Sequence, residues 1–167
     1  MSPQETLAAL DAEVETRVAA IRADHPDWLC GKGCDACCRR LATLPQLTPP
    51  EAERLRAAFA ALPAAEIAAI RARLAALGPA PAAPVTCPLL DPQSGACPVY
   101  AARPLACRSY GFYVERDTGL YCAEIEARVA AGAYPEVIWG HQGRLDTRLA
   151  TLGETRPLGP ELLPPEA

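Results

Sequence analysis

The chain contains 167 residues, a length that suits a single domain, and half of them are hydrophobic. Only 5% are aromatic, so small side chains that bury little area must supply part of the core. The formal net charge of −4 gives no general attraction to nucleic-acid phosphates, and no apolar run is long enough to span a bilayer. We therefore expect no nucleic-acid partner and no membrane association.

The first predicted element is a helix over residues 3–23. Ser2, Pro3 and Glu5 supply the N-cap, the first-turn proline and the N3 carboxylate of a capping box. Apolar residues then recur at helical spacing, at Leu7, Leu10, Val14, Val18 and Ile21. This acidic start lacks the basic stretch and apolar run of a secretory signal, so we expect a cytoplasmic protein.

A dense group of four cysteines follows the helix: Cys30, Cys34, Cys37 and Cys38. Cys34 and Cys37 have the two-residue spacing that lets one turn present two sulfurs to one metal. The neighbours Cys37 and Cys38 point in different directions on any regular backbone. We therefore expect that they do not both act as terminal ligands of one metal ion.

A helical pair is predicted over about residues 48–78. It begins with a second capping box, Thr48 to Glu51, is interrupted at Pro63, and ends at Gly78. The pair forms an insertion between the dense cysteine group and a spaced one.

The spaced group contains Cys87, Cys97, Cys107 and Cys122. Thiolates are soft anionic ligands that suit zinc and iron–sulfur centres, and eight are enough for two four-coordinate sites. All eight cysteines are therefore candidate metal ligands, for one centre or two.

The last third of the chain predicts a small β-hairpin, since residues 110–114 and 120–122 flank a turn signal at 117–119. Helices are predicted near 124–131 and 145–152, and a Pro- and Gly-rich tail, residues 155–167, is predicted to be disordered. The expected fold is a mostly α, metal-stabilised single domain, residues 1–154, with irregular cysteine-rich loops.

A disulfide framework is the competing interpretation of an even cysteine count. The expected cytoplasmic location is reducing, which opposes disulfides. Cys37 and Cys38 could bridge each other only through a strained ring. Metal ligation is therefore favoured.

Four short motifs carry a family resemblance: Cys34-Asp35-Ala36-Cys37-Cys38, Cys87-Pro88-Leu89-Leu90, Cys97-Pro98-Val99-Tyr100 and Arg103-Pro104-Leu105-Ala106-Cys107-Arg108. Over roughly residues 30–108 the chain resembles the CxxCxxCC family of zinc- or iron-chelating proteins, also called YkgJ-type cysteine-cluster proteins. The resemblance implies that these cysteines form a metal-chelating cluster. A related cluster occurs in flagellin lysine methylases.

The three-residue spacing from Cys30 to Cys34 also creates a local C-x3-C-x2-C string, as in radical SAM enzymes. Those enzymes build their site on a repeated strand–helix barrel, and this chain has neither the length nor the alternating pattern. The sequence therefore disfavours that interpretation.

The single cysteines of the spaced group favour an iron–sulfur cluster over zinc, because structural zinc sites usually collect paired C-x2-C units. Four arginines beside cysteines could offset the charge of a thiolate centre, or could be ordinary solvated or helix-capping side chains. They are Arg39, Arg40, Arg103 and Arg108.

Other candidate residues are expected to be structural. An aromatic shell that excludes water from the centre is predicted for Tyr100, Tyr110, Phe112, Tyr113 and Tyr121. His141 could complete a metal site, but a lone histidine is more often a hydrogen-bonded structural residue. His25 is expected to be a helix-end residue.

The sequence therefore predicts a metal-chelating cysteine-cluster protein that binds iron, preferably as an iron–sulfur cluster, or zinc. The leading role is an accessory or carrier protein with a possible protein partner. The alternatives are an iron–sulfur enzyme or electron-transfer component, and a structural zinc module for protein interaction. Whether the protein is an enzyme stays open.

Overall fold

The structure is a computed structural model, and it describes residues 1–166. About 47% of the chain is helical and the strands are short, which confirms the mostly α fold class. The helices are α1 (Pro3–Asp24), α2 (Pro49–Ala60), α3 (Ala64–Leu77), α4 (Leu105–Ser109), α5 (Ala123–Ala130) and α6 (Gln142–Leu149). The strands are β1 (Gln46–Leu47), β2 (Tyr113–Glu115), β3 (Thr118–Leu120), β4 (Gly140–His141) and β5 (Arg156–Pro157).

The chain divides into two compact units. Unit 1 comprises Met1–Lys32 and Leu105–Gly153, and unit 2 comprises Gly33–Pro104 together with the segment that begins at Glu154. Each unit has its own cluster of buried apolar side chains. None of the helices within residues 1–166 has the length and apolar character needed to cross a membrane.

Unit 1 is built on α1. The predicted capping box is present: the Glu5 N–H donates to Ser2 Oγ (3.2 Å) and the Ser2 N–H donates to Glu5 Oε2 (2.6 Å). All five predicted core residues of α1 are buried. They pack with Leu105, Phe112 and Ile125 in the same core. The helical periodicity of the sequence therefore predicted the buried face of α1 correctly.

The predicted hairpin is present as β2 and β3, which pair antiparallel with Tyr113 opposite Leu120. Strand β4 adds to β2 in parallel, with Tyr113 beside Gly140. A strand of two residues carries no periodic pattern, so sequence reasoning missed β4. The predicted helices near 124–131 and 145–152 correspond to α5 and to α6 with its short 3-10 extension.

Unit 2 contains the predicted helical pair, α2 and α3. The Thr48 N–H and hydroxyl both donate to Glu51 Oε2, at 2.9 and 2.7 Å, so the second capping box is present and buried. Gly78 ends α3 with φ +69°, a conformation that favours glycine. Leu55, Phe59 and Ile70 bury the inner faces of the pair.

The expected disorder of the tail from Thr155 needs correction over the described residues. β5 pairs antiparallel with β1, and the Leu158 N–H donates to Pro45 O (2.9 Å). Leu158, Leu162 and Leu163 are buried in the core of unit 2. The composition of this segment is polar and proline-rich, so the sequence predicted disorder in spite of these three leucines. Their burial is favourable because α2 and α3 supply an apolar surface for them to pack against.

Candidate metal centre

Five of the eight cysteines lie in unit 2, and two of them, Cys37 and Cys38, share a single turn. Gly33 adopts φ +96° and bends the chain before the exposed Cys34. The next residues form one turn, in which the Arg39 N–H donates to Asp35 O (3.1 Å) and the Arg40 N–H to Cys37 O (3.1 Å). This turn carries Cys37 and Cys38, both half-buried.

The sulfur atoms of Cys37 and Cys38 lie 4.0 Å apart. Two thiolates on one tetrahedral zinc, with bonds of about 2.3 Å, have sulfurs about 3.8 Å apart. The expectation that these neighbours point in different directions is therefore wrong. It assumed a regular backbone, whereas the turn rotates both side chains to the same side.

A short backbone pairing joins the dense cysteine group to the spaced group. Leu41 and Val85 form an antiparallel bridge, with both N–H···O distances 2.8 Å. Two residues after Val85, the Cys87 N–H donates to Cys38 O (2.6 Å). Two cysteines with 48 residues between them in the sequence are thereby held together by the main chain.

Burial controls the ionisation of the thiols in this group. It raises the pKa of Cys87 to about 11, and the neighbouring Cys97 and Cys37 add to the rise. Burial also raises the pKa of Cys97. The contact with Cys38, together with burial, raises the pKa of Cys37. Without metal these three thiols are protonated near neutral pH, so metal binding must release protons.

Arg103 is the basic residue that the fold directs toward the cysteines of unit 2. Its guanidinium lies over the Tyr100 ring, with the Cζ atom 3.5 Å from the ring centroid, and its Nε donates to Tyr100 O (2.9 Å). The Tyr100 N–H in turn donates to Cys97 O (3.1 Å). The positive charge acts to lower the pKa of Cys97, against the larger effect of burial. The Cys-Pro-Val-Tyr and Arg-Pro motifs thus act together.

The other predicted arginines are engaged elsewhere or exposed. Arg39 pairs with Asp35, with its terminal nitrogen 2.6 Å from Oδ2. In unit 1, Arg108 pairs with Asp11 (3.3 Å) and Glu15 (3.1 Å), both on α1. Arg40 is exposed. Of the four, Arg103 best fits the proposed offset of thiolate charge.

The remaining three cysteines belong to unit 1. Cys30 Sγ lies 3.5 Å from Tyr110 O, and a Cβ at Gly111 would lie only 2.8 Å from that sulfur. Cys107 lies on α4, so it departs from the expectation that the cysteines occupy irregular segments. Cys122 is the N-cap residue of α5.

A carbonyl oxygen accepts a hydrogen bond only from a protonated thiol. The position of Cys30 therefore suits a thiol better than a metal-bound thiolate.

All eight cysteines lie in the described residues, and none forms a disulfide there. Across residues 1–166 no three Cys, His, Asp or Glu side chains form a ready coordination shell. Ligation by the unit 2 thiols therefore requires their side chains to turn toward a common point. The donor chemistry fits zinc or iron, since the set is all sulfur and two of its sulfurs already lie near ligand spacing.

The aromatic residues do not form one shell. In unit 2 the Tyr100 ring contacts the Arg103 guanidinium, whereas Phe112 and Tyr113 are buried in the core of unit 1. Tyr121 packs against Trp139, at 5.1 Å between centroids. A larger aromatic group around Trp28 was missed, because its members are scattered in the sequence without periodicity.

Both histidines are structural, as expected. His141 Nδ1 accepts the Arg144 N–H (3.2 Å) and so caps α6. His25 is the C-cap of α1, and its ring contacts Tyr134 edge-on at 5.0 Å.

The sequence motifs and the unit 2 geometry agree with a comparison against protein families. The model of the CxxCxxCC family, described as a "putative zinc- or iron-chelating domain", matches residues 29–128. The chain belongs to this family. No curated protein and no solved structure shows significant similarity to this chain. The match extends past the motifs to include Cys122.

Replacing Arg103 with glutamine tests its electrostatic role. Its charge favours the Cys97 thiolate, so its loss raises the pKa of Cys97 and lowers the thiolate fraction at a given pH. In metal-free protein, alkylation of Cys97 by iodoacetamide, followed by peptide mass spectrometry, should slow and its rate–pH profile should shift to higher pH. Arg103→Lys should keep most of the rate, and Arg39→Gln all of it. Equal rates for Arg103→Gln and unmodified protein would contradict this role.

Proposed function

We propose that the protein binds iron or zinc through the thiolates of unit 2 and acts as an accessory or carrier protein for that metal. The main support for this proposal is the main-chain hydrogen bond that joins Cys38 to Cys87. Next to it, the sulfur atoms of Cys37 and Cys38 lie 4.0 Å apart. The proposed ligands are drawn from Cys34, Cys37, Cys38, Cys87 and Cys97.

An iron–sulfur cluster is the preferred cargo. A four-thiolate centre carries net negative charge, and Arg103 provides a nearby positive one. Cys87 and Cys97 are single cysteines, each followed directly by proline, an arrangement known from iron–sulfur ligands. Burial of Cys87 would limit water at the centre.

The carrier role is supported by unequal exposure of the thiols. Cys87 is buried, Cys37, Cys38 and Cys97 are half-buried, and Cys34 is exposed. An exposed thiol beside a buried set can contact an incoming acceptor while the other sulfurs hold the metal. Thiolate exchange at Cys34 would then begin the transfer.

A structural zinc module is the second candidate. Cys87 belongs to the same buried cluster as Leu55 and Phe59, and Cys38 and Cys97 pack against that cluster. A metal here would brace the helical pair from inside, which is what a structural zinc site does.

Metal identity separates the two candidates. We expect protein purified without oxygen to be brown, to contain iron and acid-labile sulfide, and to lose its colour in air. Visible absorption with iron, zinc and sulfide analysis measures this. Colourless protein with stoichiometric zinc and no sulfide would support the structural module instead.

Serine variants test the ligand set. Cys37→Ser and Cys38→Ser should each lower the metal content, because serine is a poor replacement for a thiolate ligand. Elemental analysis per folded protein measures the loss, with circular dichroism as a check on folding. Cys30→Ser is the matched control, and should keep its metal because its hydroxyl can donate to Tyr110 O. Full metal content in both test variants would refute the proposed site.

Transfer kinetics test the carrier role. Cys34→Ser should bind less metal and release it faster to a thiol-containing chelator, because the weak serine ligand leaves the exposed side of the centre open to the incoming thiol. Cys30→Ser should transfer at the unmodified rate. The carrier role fails if Cys34→Ser and unmodified protein release metal equally fast.

A further inference from the structure

Four aromatic rings of unit 1 form a continuous series, here called the aromatic chain: Tyr121, Trp139, Trp28 and Tyr134. Successive ring centroids are 5.1, 5.6 and 4.7 Å apart. The chain includes both tryptophans of the protein. Aromatic rings in contact exchange electrons readily, since electronic coupling falls steeply with distance and these rings are nearly touching.

Two cysteines adjoin the aromatic chain. Tyr121 directly precedes Cys122, and Trp28 stands two residues before Cys30. Both cysteines pack against the core that contains Trp28. Thiols are readily oxidised by one-electron oxidants, so oxidising equivalents generated there would enter the aromatic chain at short range.

The far end of the aromatic chain has a built-in proton acceptor. The Tyr134 hydroxyl donates to Asp27 Oδ2 (3.0 Å), and Arg128 donates to the Tyr134 oxygen (2.9 Å) and to the same carboxylate oxygen (3.1 Å). Tyr134 has φ +63°, an uncommon conformation for a residue with a side chain. An oxidised tyrosine must lose its phenolic proton, and the Asp27 carboxylate is placed to accept it.

Trp28, in contrast, is arranged to pass charge onward. Its side chain is about nine-tenths buried, and its indole nitrogen has no hydrogen-bond partner in residues 1–166. An indole radical cation there has no base to take its proton, so it stays a strong oxidant. It would therefore draw an electron from Tyr134 rather than trap the oxidising equivalent.

We propose that the aromatic chain is an electron relay that repairs oxidised cysteine in unit 1 and moves the radical to Tyr134. The oxidant is a thiyl radical at Cys122, formed when a one-electron oxidant removes an electron and a proton from the thiol. One electron then passes from Tyr134 through Trp28, Trp139 and Tyr121 to the thiyl sulfur, which takes a proton from water. Tyr134 gives its proton to Asp27. The products are a thiol, a neutral tyrosyl radical, a protonated carboxyl group and the hydroxide left by the water, which neutralises the proton released when the thiol was first oxidised.

This relay does not depend on the metal site proposed for unit 2. Its biological reductant would be a small-molecule thiol or ascorbate-like donor that reduces the tyrosyl radical at the surface.

Laser photoionisation of the indoles tests the relay, because both tryptophans belong to the aromatic chain. Transient absorption should show an indole radical that decays as a tyrosyl radical appears, and freeze-quenched samples should show that radical by electron paramagnetic resonance. Tyr134→Phe should lose the tyrosyl signal and prolong the indole radical. Asp27→Asn should slow tyrosyl formation. Tyr113→Phe and Asp24→Asn, which alter residues outside the relay, should behave as the unmodified protein.

The repair role has its own measurement. On exposure to a one-electron oxidant, peptide mass spectrometry should find more oxidised Cys122 in Tyr134→Phe than in Tyr113→Phe. A tyrosyl signal that survives in Tyr134→Phe would overturn the relay. Equal Cys122 oxidation in the two variants would overturn the repair role. Circular dichroism of each variant confirms that it is folded.

Discussion

The candidate metal site depends on one short pairing of backbone segments in unit 2. The Leu41–Val85 bridge and the Cys87-to-Cys38 hydrogen bond close a loop of 48 intervening residues. Closing a loop of that length costs conformational entropy, and the chain offsets it by folding the loop into α2 and α3 around a buried core. The helical pair is therefore the structural means by which distant cysteines come together, whatever metal they bind.

The surroundings of the unit 2 thiols differ in a graded way. The buried Cys87 resists ionisation, with its pKa raised to about 11, whereas Cys34 faces solvent. Arg103 partly opposes the effect of burial at Cys97, and the Tyr100 ring holds the guanidinium in place. Such a gradient suits a metal that must be held firmly on one side and remain reachable on the other.

Unit 1 places its cysteines in a different environment. Cys30 is packed so closely that Gly111 has no room for a side chain, and Arg108 fastens α4, which carries Cys107, to acidic residues of α1. The aromatic chain and the Tyr134–Asp27 hydrogen bond belong to this unit. The eight thiols are therefore not one uniform ligand set, although the sequence makes all eight candidate metal ligands.

The sequence by itself determined the features that depend on neighbours along the chain. The two capping boxes, the apolar stripe of α1, the stop at Gly78 and the β2–β3 hairpin follow from local backbone and side-chain rules, and the cysteine motifs identified the family. The tertiary structure decided which cysteines meet, the convergence of the Cys37 and Cys38 sulfurs on an irregular turn, the packing of the tail through Leu158 and Leu162, and the aromatic chain. The Cys37–Cys38 convergence depends on the irregular backbone of one turn, which no regular pattern describes. The other features depend on contacts between residues far apart in sequence, where no periodic pattern records the partner.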